Sequence, residues 1–218
     1  EVPSGLPFEA EQLCYKLNAM LPRQIVIHEV CEVSDGFHAR FDATSREYCY
    51  FVHFRKDPFA EKFSYRLRYP LDIGAMNEAA RLLLGEHDFS CFEKVGGNNT
   101  TSVCTITEAS WSTYTPSHTA LMGMPCSEGD YIVFRIRANR FLRNMVRALT
   151  GTLVDVGRGK ISPERFEEII EARNLSLSSS SAPAQGLFLY DVVYDKLGGA
   201  FIAASSMSFK KEDKKLIS

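Results

Sequence analysis

The 218-residue sequence lacks several patterns that would assign it to a class of protein directly. No apolar run approaches the roughly 20 residues that a membrane-spanning helix needs, and no basic segment followed by an apolar one opens the chain as a secretory signal would. Its six cysteines form no CxxC motif, and no histidine stands at zinc-ligand spacing from a pair of them. Scattered cysteines are typical of reduced thiols in the cytoplasm, so we expect a cytoplasmic protein with no metal ion and no membrane segment.

A large excess of either charge is also absent. The chain has 25 Lys and Arg residues against 27 Asp and Glu residues, which gives a net charge of −2 at pH 7. A surface that binds nucleic acid must therefore be local rather than spread over the molecule. The hydrophobic fraction of 45% and the charged fraction of 24% are ordinary for a globular chain of one large domain or two small ones.

Hydrophobic periodicity predicts a mixture of strands and helices. Alternating apolar residues indicate strands at 24–30, 46–54, 102–114, 131–139 and 187–194. Helical spacing of apolar residues indicates helices at 8–21, 76–86, 141–157 and 162–174. The last of these has Ser162 as its N-cap. Strand pairs followed by helices favour the α+β class, with a mixed, mostly antiparallel sheet and helices packed on one face.

Positive charge of one kind is concentrated between Phe134 and Thr150. This segment has no lysine and no acid but five arginines: Arg135, Arg137, Arg140, Arg143 and Arg147. The last two are four residues apart and would stack in the first turns of the predicted helix, where a cation costs about 0.3–1 kcal/mol. A guanidinium fork binds phosphate or carboxylate at two points. Two interpretations stay open: acids of the chain pair with these arginines inside the fold, or a polyanion binds them.

A second candidate site lies in the predicted strand at 46–54. Strand alternation puts Arg46, Tyr48, Tyr50 and Val52 on one face. An arginine beside tyrosines on a sheet suits the stacking of nucleic-acid bases with a phosphate contact. The alternative is that the tyrosines bury their rings in the core and bond their hydroxyls to the backbone.

Four segments together carry a resemblance to a known family. They are FHARFDATSREYCY (37–50), LLGEHDFSCF (83–92), RANRFLRNMVRALTGTLVDVGRGK (137–160) and SAPAQGLFLYDVVY (181–194). In their order and spacing they resemble the tRNA pseudouridine synthase A family. The resemblance implies an isomerase that detaches uracil from its ribose and reattaches it through carbon, in uridines of the tRNA anticodon stem-loop. It also implies a homodimer that binds tRNA and uses no cofactor.

The resemblance further implies how the chain is organised. The family fold is a mixed sheet of two pseudo-symmetric halves with an active-site cleft between them. Residues 1–57 would be the remainder of an N-terminal half, and residues 58–195 would be the C-terminal half with the arginine-rich segment. The resemblance ends at about Tyr194, and residues 196–218, which end in FKKEDKKLIS, are expected to be a flexible tail on their own composition.

Individual residues take roles from the resemblance by their position. Tyr48 matches the active-site tyrosine that stacks on the target base and helps to remove a proton from its carbon. Arg147 matches the arginine that pairs with the catalytic aspartate, and Leu187 matches the apolar residue that lines the uracil pocket. The remaining arginines would contact the RNA backbone: Arg46, Arg135, Arg137, Arg140 and Arg143.

The family motif G-R-T-D-x-G-x-H-A, which carries the nucleophilic aspartate, does not occur in the sequence. Arg40-Phe41-Asp42 is the nearest string, but it belongs to the tyrosine-bearing segment. We therefore expect the nucleophile to lie upstream of Glu1, and we expect the chain as it stands to be inactive. Two other functions are considered: a non-catalytic module that binds tRNA, and a site for a small anionic metabolite held by Arg143 and Arg147.

Overall fold

A computed structural model describes residues 9–94, 96 and 100–195 of the chain. These residues fall into two compact units, 9–39 and 40–195, which are described separately. The predicted tail at 196–218 lies outside the described residues. The prediction of a boundary at residue 57 stays a prediction.

The described chain has five α-helices and six strands, together with short 3-10 turns. The helices are α1 (Ala10–Met20), α2 (Ile73–Arg81), α3 (Ser117–Leu121), α4 (Met145–Gly157) and α5 (Pro163–Ala172). The strands are β1 (Ala43–His53), β2 (Tyr65–Arg66), β3 (Gly85–Asp88), β4 (Val103–Thr113), β5 (Tyr131–Ala138) and β6 (Leu187–Tyr194). The α+β prediction is confirmed, and Ser162 caps α5 by accepting a bond from the Arg165 N–H.

The strand predicted at 24–30 is wrong. Residues 22–39 follow α1 without forming a strand. The Asn18 side chain of α1 instead bonds both backbone groups of Ile27, with Nδ2 2.7 Å from its carbonyl oxygen and Oδ1 2.8 Å from its nitrogen. A side-chain amide thus takes the place of a neighbouring strand, which sequence alternation cannot foresee.

In residues 40–195 the strands form one sheet in the order β2-β1-β5-β4-β3. One edge of β1 pairs with antiparallel β5, and its other edge pairs first with antiparallel β6 and then with the short parallel strand β2. All pairings but β1–β2 are antiparallel. The order confirms the mixed, mostly antiparallel sheet.

The helices α2, α4 and α5 cover one face of this sheet. Tyr50, Phe134 and Trp111 lie side by side on that face across β1, β5 and β4, and the rings of Trp111 and Phe134 stack at 4.9 Å. Helix α4 buries ten of its thirteen residues. The hydrophobic core therefore lies between the sheet and these three helices, as the sequence predicted.

The segment between α5 and β6 runs across the middle of α4 at close range. The Ser179 N–H bonds the Thr152 hydroxyl at 3.2 Å. At Gly151 a Cβ atom would fall well inside van der Waals contact with the Ser180 carbonyl oxygen. Only glycine permits this approach of helix and segment, so the path of residues 179–186 depends on it.

On the opposite face of the sheet, a buried polar cluster ties two loops together. The fully buried carboxylate of Asp57 accepts bonds from the Tyr131 hydroxyl and the His118 imidazole, both at 2.7 Å, and from the Phe59 N–H at 2.9 Å. His118 belongs to the short helix α3, which this cluster therefore fixes in place.

All six cysteines are free thiols, and Cys49, Cys91 and Cys104 are fully buried. Burial raises the pKa of Cys91 to about 12, so this thiol is inert at neutral pH. Of the helices in the described ranges, none is long and apolar enough to cross a membrane.

Replacing Gly151 with Ala should destabilise the protein by about 1–3 kcal/mol, because a methyl group would push the Ser180 backbone away from α4. Urea unfolding measures the change. The control is Gly74→Ala in α2, where the new Cβ atom meets only the end of the Asp72 side chain at 3.1 Å. There the expected change is within about 1 kcal/mol. Equal effects of the two variants would contradict the close approach.

Stability should also depend on the ionisation of Asp57. Burial opposes ionisation, but bonds from Tyr131, His118 and the Phe59 N–H outweigh it and hold the pKa of Asp57 below its ordinary value. A carboxylate whose pKa is lower in the folded state than in the unfolded state stabilises the fold at pH values above its unfolded pKa, near 3.9. This stabilisation is lost as the pH falls through the folded-state pKa.

The variant Asp57→Asn should therefore be about 1–3 kcal/mol less stable than the unchanged protein at about pH 5. This difference in the free energy of unfolding should be smaller at about pH 3. Urea unfolding at both pH values measures it. Asp155→Asn, which removes a half-exposed partner of Arg158 and Lys160, is the control and should cost about 0–1 kcal/mol. If the two proteins differed in stability by the same amount at both pH values, the Asp57 pKa would not be lowered.

Candidate active site

Tyr48 lies in β1 on the sheet face that the helices cover, and its side chain is half-buried. The ring of Phe141 meets it edge to face, with the ring centroids 5.1 Å apart. Burial raises the pKa of Tyr48, and the charge of Arg46 only partly opposes this rise. The phenol is therefore protonated at neutral pH, which suits a ring for stacking better than a base.

Leu187 opens β6 directly opposite Tyr50 of β1. The residue before it is Gly186, where a Cβ atom would lie 2.8 Å from the Tyr50 ring and 2.9 Å from the Phe51 carbonyl oxygen. Glycine is needed for β6 to approach β1 this closely. Leu187 is half-buried against the core, so it provides an apolar wall beside the tyrosines.

Arg147 is the third residue of α4 and is held by Ala182 through two bonds. Its Nε donates to the Ala182 carbonyl oxygen at 2.7 Å, and its own carbonyl accepts from the Ala182 N–H at 2.9 Å. Within residues 9–94, 96 and 100–195, its two terminal nitrogens have no hydrogen-bond or ion-pair partner. A fixed, half-buried guanidinium with open donors suits an anionic partner.

Tyr50 connects these three residues. Its hydroxyl donates to the Pro183 carbonyl at 2.6 Å, next to the residue that holds Arg147. Burial raises the pKa of Tyr50, with Tyr65 adding to the rise and the charge of Arg147 opposing it, which indicates that the guanidinium lies near the phenol. Tyr48 lies two residues before Tyr50 on the same face of β1, roughly 7 Å away along the strand. The structure thus brings Tyr48, Leu187 and Arg147 to one region.

No aspartate of the described ranges pairs with Arg147. Those with assigned partners bond elsewhere: Asp57 to Tyr131, Asp72 to the Ala75 N–H, Asp88 to the Ser90 N–H, Asp130 to Arg55, Asp155 to Arg158, Asp191 to Arg137, and Asp195 to the Thr44 hydroxyl. The same ranges contain no group of three His, Cys, Asp or Glu side chains that could hold a metal ion. The location of the nucleophile stays a prediction.

Arg143 does not lie on α4. The helix was predicted to begin at Phe141 but begins at Met145, because Asn144 has a left-handed backbone conformation with φ of 68° that cannot continue a helix. Arg143 therefore sits in the turn before the helix, where its side chain is exposed. The prediction that Arg143 and Arg147 stack one turn apart on a helix is wrong. The metabolite site held by these two residues stays a prediction.

Arg135 and Arg137 share one face of β5, as two residues of a strand in alternate positions must, and it is the face opposite Tyr48. Both pair with Glu47, a carboxylate that is only 5% exposed, and Arg137 also pairs with Asp191 at 3.2 Å. Arg135 lies over the ring of Tyr190 at 4.7 Å. For these two arginines the structure supports pairing with acids inside the fold.

Arg46 is engaged with the backbone. Its Nη1 donates to the carbonyl oxygens of Ala43 and Asn139, both at 2.7 Å, and its Nη2 donates to that of Arg40. It thereby joins the start of β1 to the end of β5. Arg140 follows that end of β5 and is half-buried.

Sequence reasoning missed the residues that position Arg147. Ala182, Ser181 and Tyr50 reach it or its neighbours from distant parts of the chain, through contacts with no sequence periodicity. One signal was available, because asparagine is among the few residues that adopt the left-handed conformation readily, and Asn144 stands inside a predicted helix.

The chain resembles known proteins over most of its length. The family model described as tRNA pseudouridine synthase matches residues 79–195, which is 117 of the 218 residues. The match includes Arg147 and Leu187 and excludes Tyr48.

Several curated relatives named tRNA pseudouridine synthase A extend this match. The protein of Bacteroides fragilis is 42% identical over 191 residues, which cover 87% of this chain and 70% of the relative. That of Parabacteroides distasonis is 44% identical over 89% of this chain and 70% of the relative. That of Bacillus subtilis is 38% identical over 89% of this chain and 73% of the relative. The chain therefore belongs to the tRNA pseudouridine synthase family.

Proposed function

We propose that this protein isomerises uridine to pseudouridine in tRNA. The observation that carries the proposal is the guanidinium of Arg147, which is fixed by Ala182 and open at both terminal nitrogens within the described ranges. It lies near Tyr50, which is paired across the sheet with Leu187. The names of the relatives agree with this reaction. The anticodon stem-loop as the target region, the homodimer and the cytoplasmic location belong to the same proposal.

The residues would act by physical means that their surroundings support. Tyr48 stacks on the extruded uracil, because an aromatic face compensates for the base stacking lost when a nucleotide leaves its helix. Leu187 closes the pocket with apolar surface, which keeps water from the reacting sugar. Arg147 binds the carboxylate that attacks the ribose and keeps it ionised, because a nearby cation lowers the pKa of a carboxyl group.

The attacking carboxylate is not one of the described aspartates with assigned partners, since each bonds another group. We propose that it comes from a segment outside residues 9–94, 96 and 100–195.

Tritium release tests this directly. The uracil carbon that becomes bonded to ribose must lose its hydrogen, so tRNA tritiated at that carbon releases tritium to water on turnover. Activity of the complete gene product without activity of residues 1–218 would support the proposal. Release by residues 1–218 alone would show that the nucleophile lies within them.

Arg147→Gln in the complete gene product should lower kcat by roughly a hundredfold to a thousandfold, because one preorganised electrostatic contact in a site is lost. The tritium-release assay measures it. Arg143→Gln removes a nearby exposed arginine and serves as the control, with kcat expected to stay within about threefold. Tight tRNA binding with no turnover in the unchanged protein would favour a non-catalytic binding module.

The RNA-facing role of the arginines is tested by salt dependence. A side chain that contacts phosphate reduces the slope of log K against log salt by about 0.7–0.9 when removed. We expect Arg143→Gln to do so, because its side chain is exposed. Arg137→Gln should leave the slope unchanged and cost about 1–3 kcal/mol of stability, because buried Glu47 loses a partner. A lower slope in the Arg137 variant would establish the predicted phosphate contact.

A further inference from the structure

Asn144 stands in an unusual backbone conformation directly before the helix that carries Arg147. It occupies the N-cap position of α4 with φ of 68°, yet its side chain makes no bond to the helix N-terminus. The side chain instead donates from Nδ2 to the Ser181 hydroxyl at 2.6 Å. An asparagine at an N-cap normally accepts a bond from the first turn. Here the side chain is used elsewhere, and the backbone strain marks a position under functional or structural constraint.

The partner of Asn144 adjoins the residue that holds Arg147. Ser181 precedes Ala182, whose carbonyl accepts from the Arg147 Nε and whose N–H donates to the Arg147 carbonyl. The start of the helix therefore bonds this segment at two successive residues. The Asn144 side-chain amide bonds Ser181, and the Nε and backbone carbonyl of Arg147 bond Ala182. A shift of Ser181 would carry the Ala182 N–H with it, because the Ser181 carbonyl and the Ala182 N–H belong to one planar peptide unit. The Ala182 carbonyl, which accepts from the Arg147 Nε, follows in the next peptide unit of the same segment.

The choice of asparagine satisfies two requirements at once. The left-handed conformation costs most residues roughly 1–2 kcal/mol, and glycine and asparagine tolerate it best. Glycine would keep the backbone but could not reach Ser181. Alanine would lose the bond to Ser181, and it also tolerates the left-handed backbone conformation poorly. Only a short side chain with an N–H donor and a tolerance for this conformation serves both needs.

From these contacts we infer that Asn144 is a positioning residue, which orients the Arg147 guanidinium through Ser181 and Ala182. The inference rests on the proposed role of Arg147 as the partner of the attacking carboxylate. Asn144 itself touches neither the substrate nor the carboxylate. Its removal would let the guanidinium turn away, and the carboxylate would then ionise less readily.

The experiment compares Asn144→Gly, Ser181→Ala and the double variant in the complete gene product. Each single variant should lower kcat on the order of tenfold with little change in KM. The acidic limb of the pH profile of kcat/KM should move to higher pH by up to about one unit, because a guanidinium beside a carboxylate lowers its pKa by about 1–3 units. The double variant should be no worse than either single variant, since both remove the same bond.

A matched control separates positioning from stability. Asn77 bonds backbone groups far from Arg147, with its Oδ1 2.7 Å from the Trp111 backbone nitrogen and its Nδ2 3.0 Å from the Trp111 carbonyl oxygen. Asn77→Ala should lower Tm at least as much as Asn144→Gly and leave the acidic limb in place. Thermal unfolding of every variant accompanies the kinetics. An unshifted acidic limb in folded Asn144→Gly and Ser181→Ala, or additive losses in the double variant, would overturn the inference.

Failure of the inference is distinguishable from failure of the proposed function. If Arg147→Gln loses activity while both Asn144→Gly and Ser181→Ala keep normal kcat and pH profiles, the inference is wrong and the role of Arg147 stands. If Arg147→Gln keeps normal activity, the proposed role of Arg147 is wrong, and the inference falls with it.

Discussion

The candidate site depends on the two hydrogen bonds between Arg147 and Ala182. They join residues 35 positions apart in the chain, one at the start of α4 and the other just before β6. An arginine side chain has several rotatable bonds, and ordering such a chain costs about 1.5–2 kcal/mol of rotamer freedom. The bond from Nε covers part of that cost before any ligand arrives. An anion that bound the terminal nitrogens would then meet them in a set geometry, which is how preorganised sites reach useful affinity.

This pair of bonds constrains the chain on both sides of it. The segment must lie against α4, which requires glycine at position 151, and it must enter β6 against the ring of Tyr50, which requires glycine at position 186. Between these two points the Tyr50 hydroxyl holds the Pro183 carbonyl. The core and the candidate site therefore share a residue. Tyr50 is fully buried among core residues, and its hydroxyl also bonds the segment that holds Arg147.

Sequence reasoning found the elements whose pattern is local and missed those decided by distant contacts. The strands β4 and β5 follow from alternation, because each has one face on the core. The segment at 24–30 has the same pattern but lies beside an asparagine side chain rather than a strand. Alternation also showed that Arg135 and Arg137 share a face. It could not show which face, because that depends on the register of β5 against β1, where Tyr48 lies opposite Ile136 and Glu47 lies opposite Arg137.

The register also explains why a slightly acidic chain concentrates five arginines in one segment. The strand β5 turns two of them towards Glu47, where each offsets the desolvation of a buried carboxylate. Past the end of β5 the chain leaves the sheet, and Asn144 ends the turn before α4 begins. Arg147 then falls on the other side of the sheet from Glu47, among tyrosines and Leu187 rather than acids. Among the residues that the structure describes, arginine is thus paired with acids on one face of the sheet, whereas on the other face the terminal nitrogens of Arg147 have no partner. The difference lies in strand pairing and not in the arginines, so arginine content alone cannot identify which of them bind a ligand.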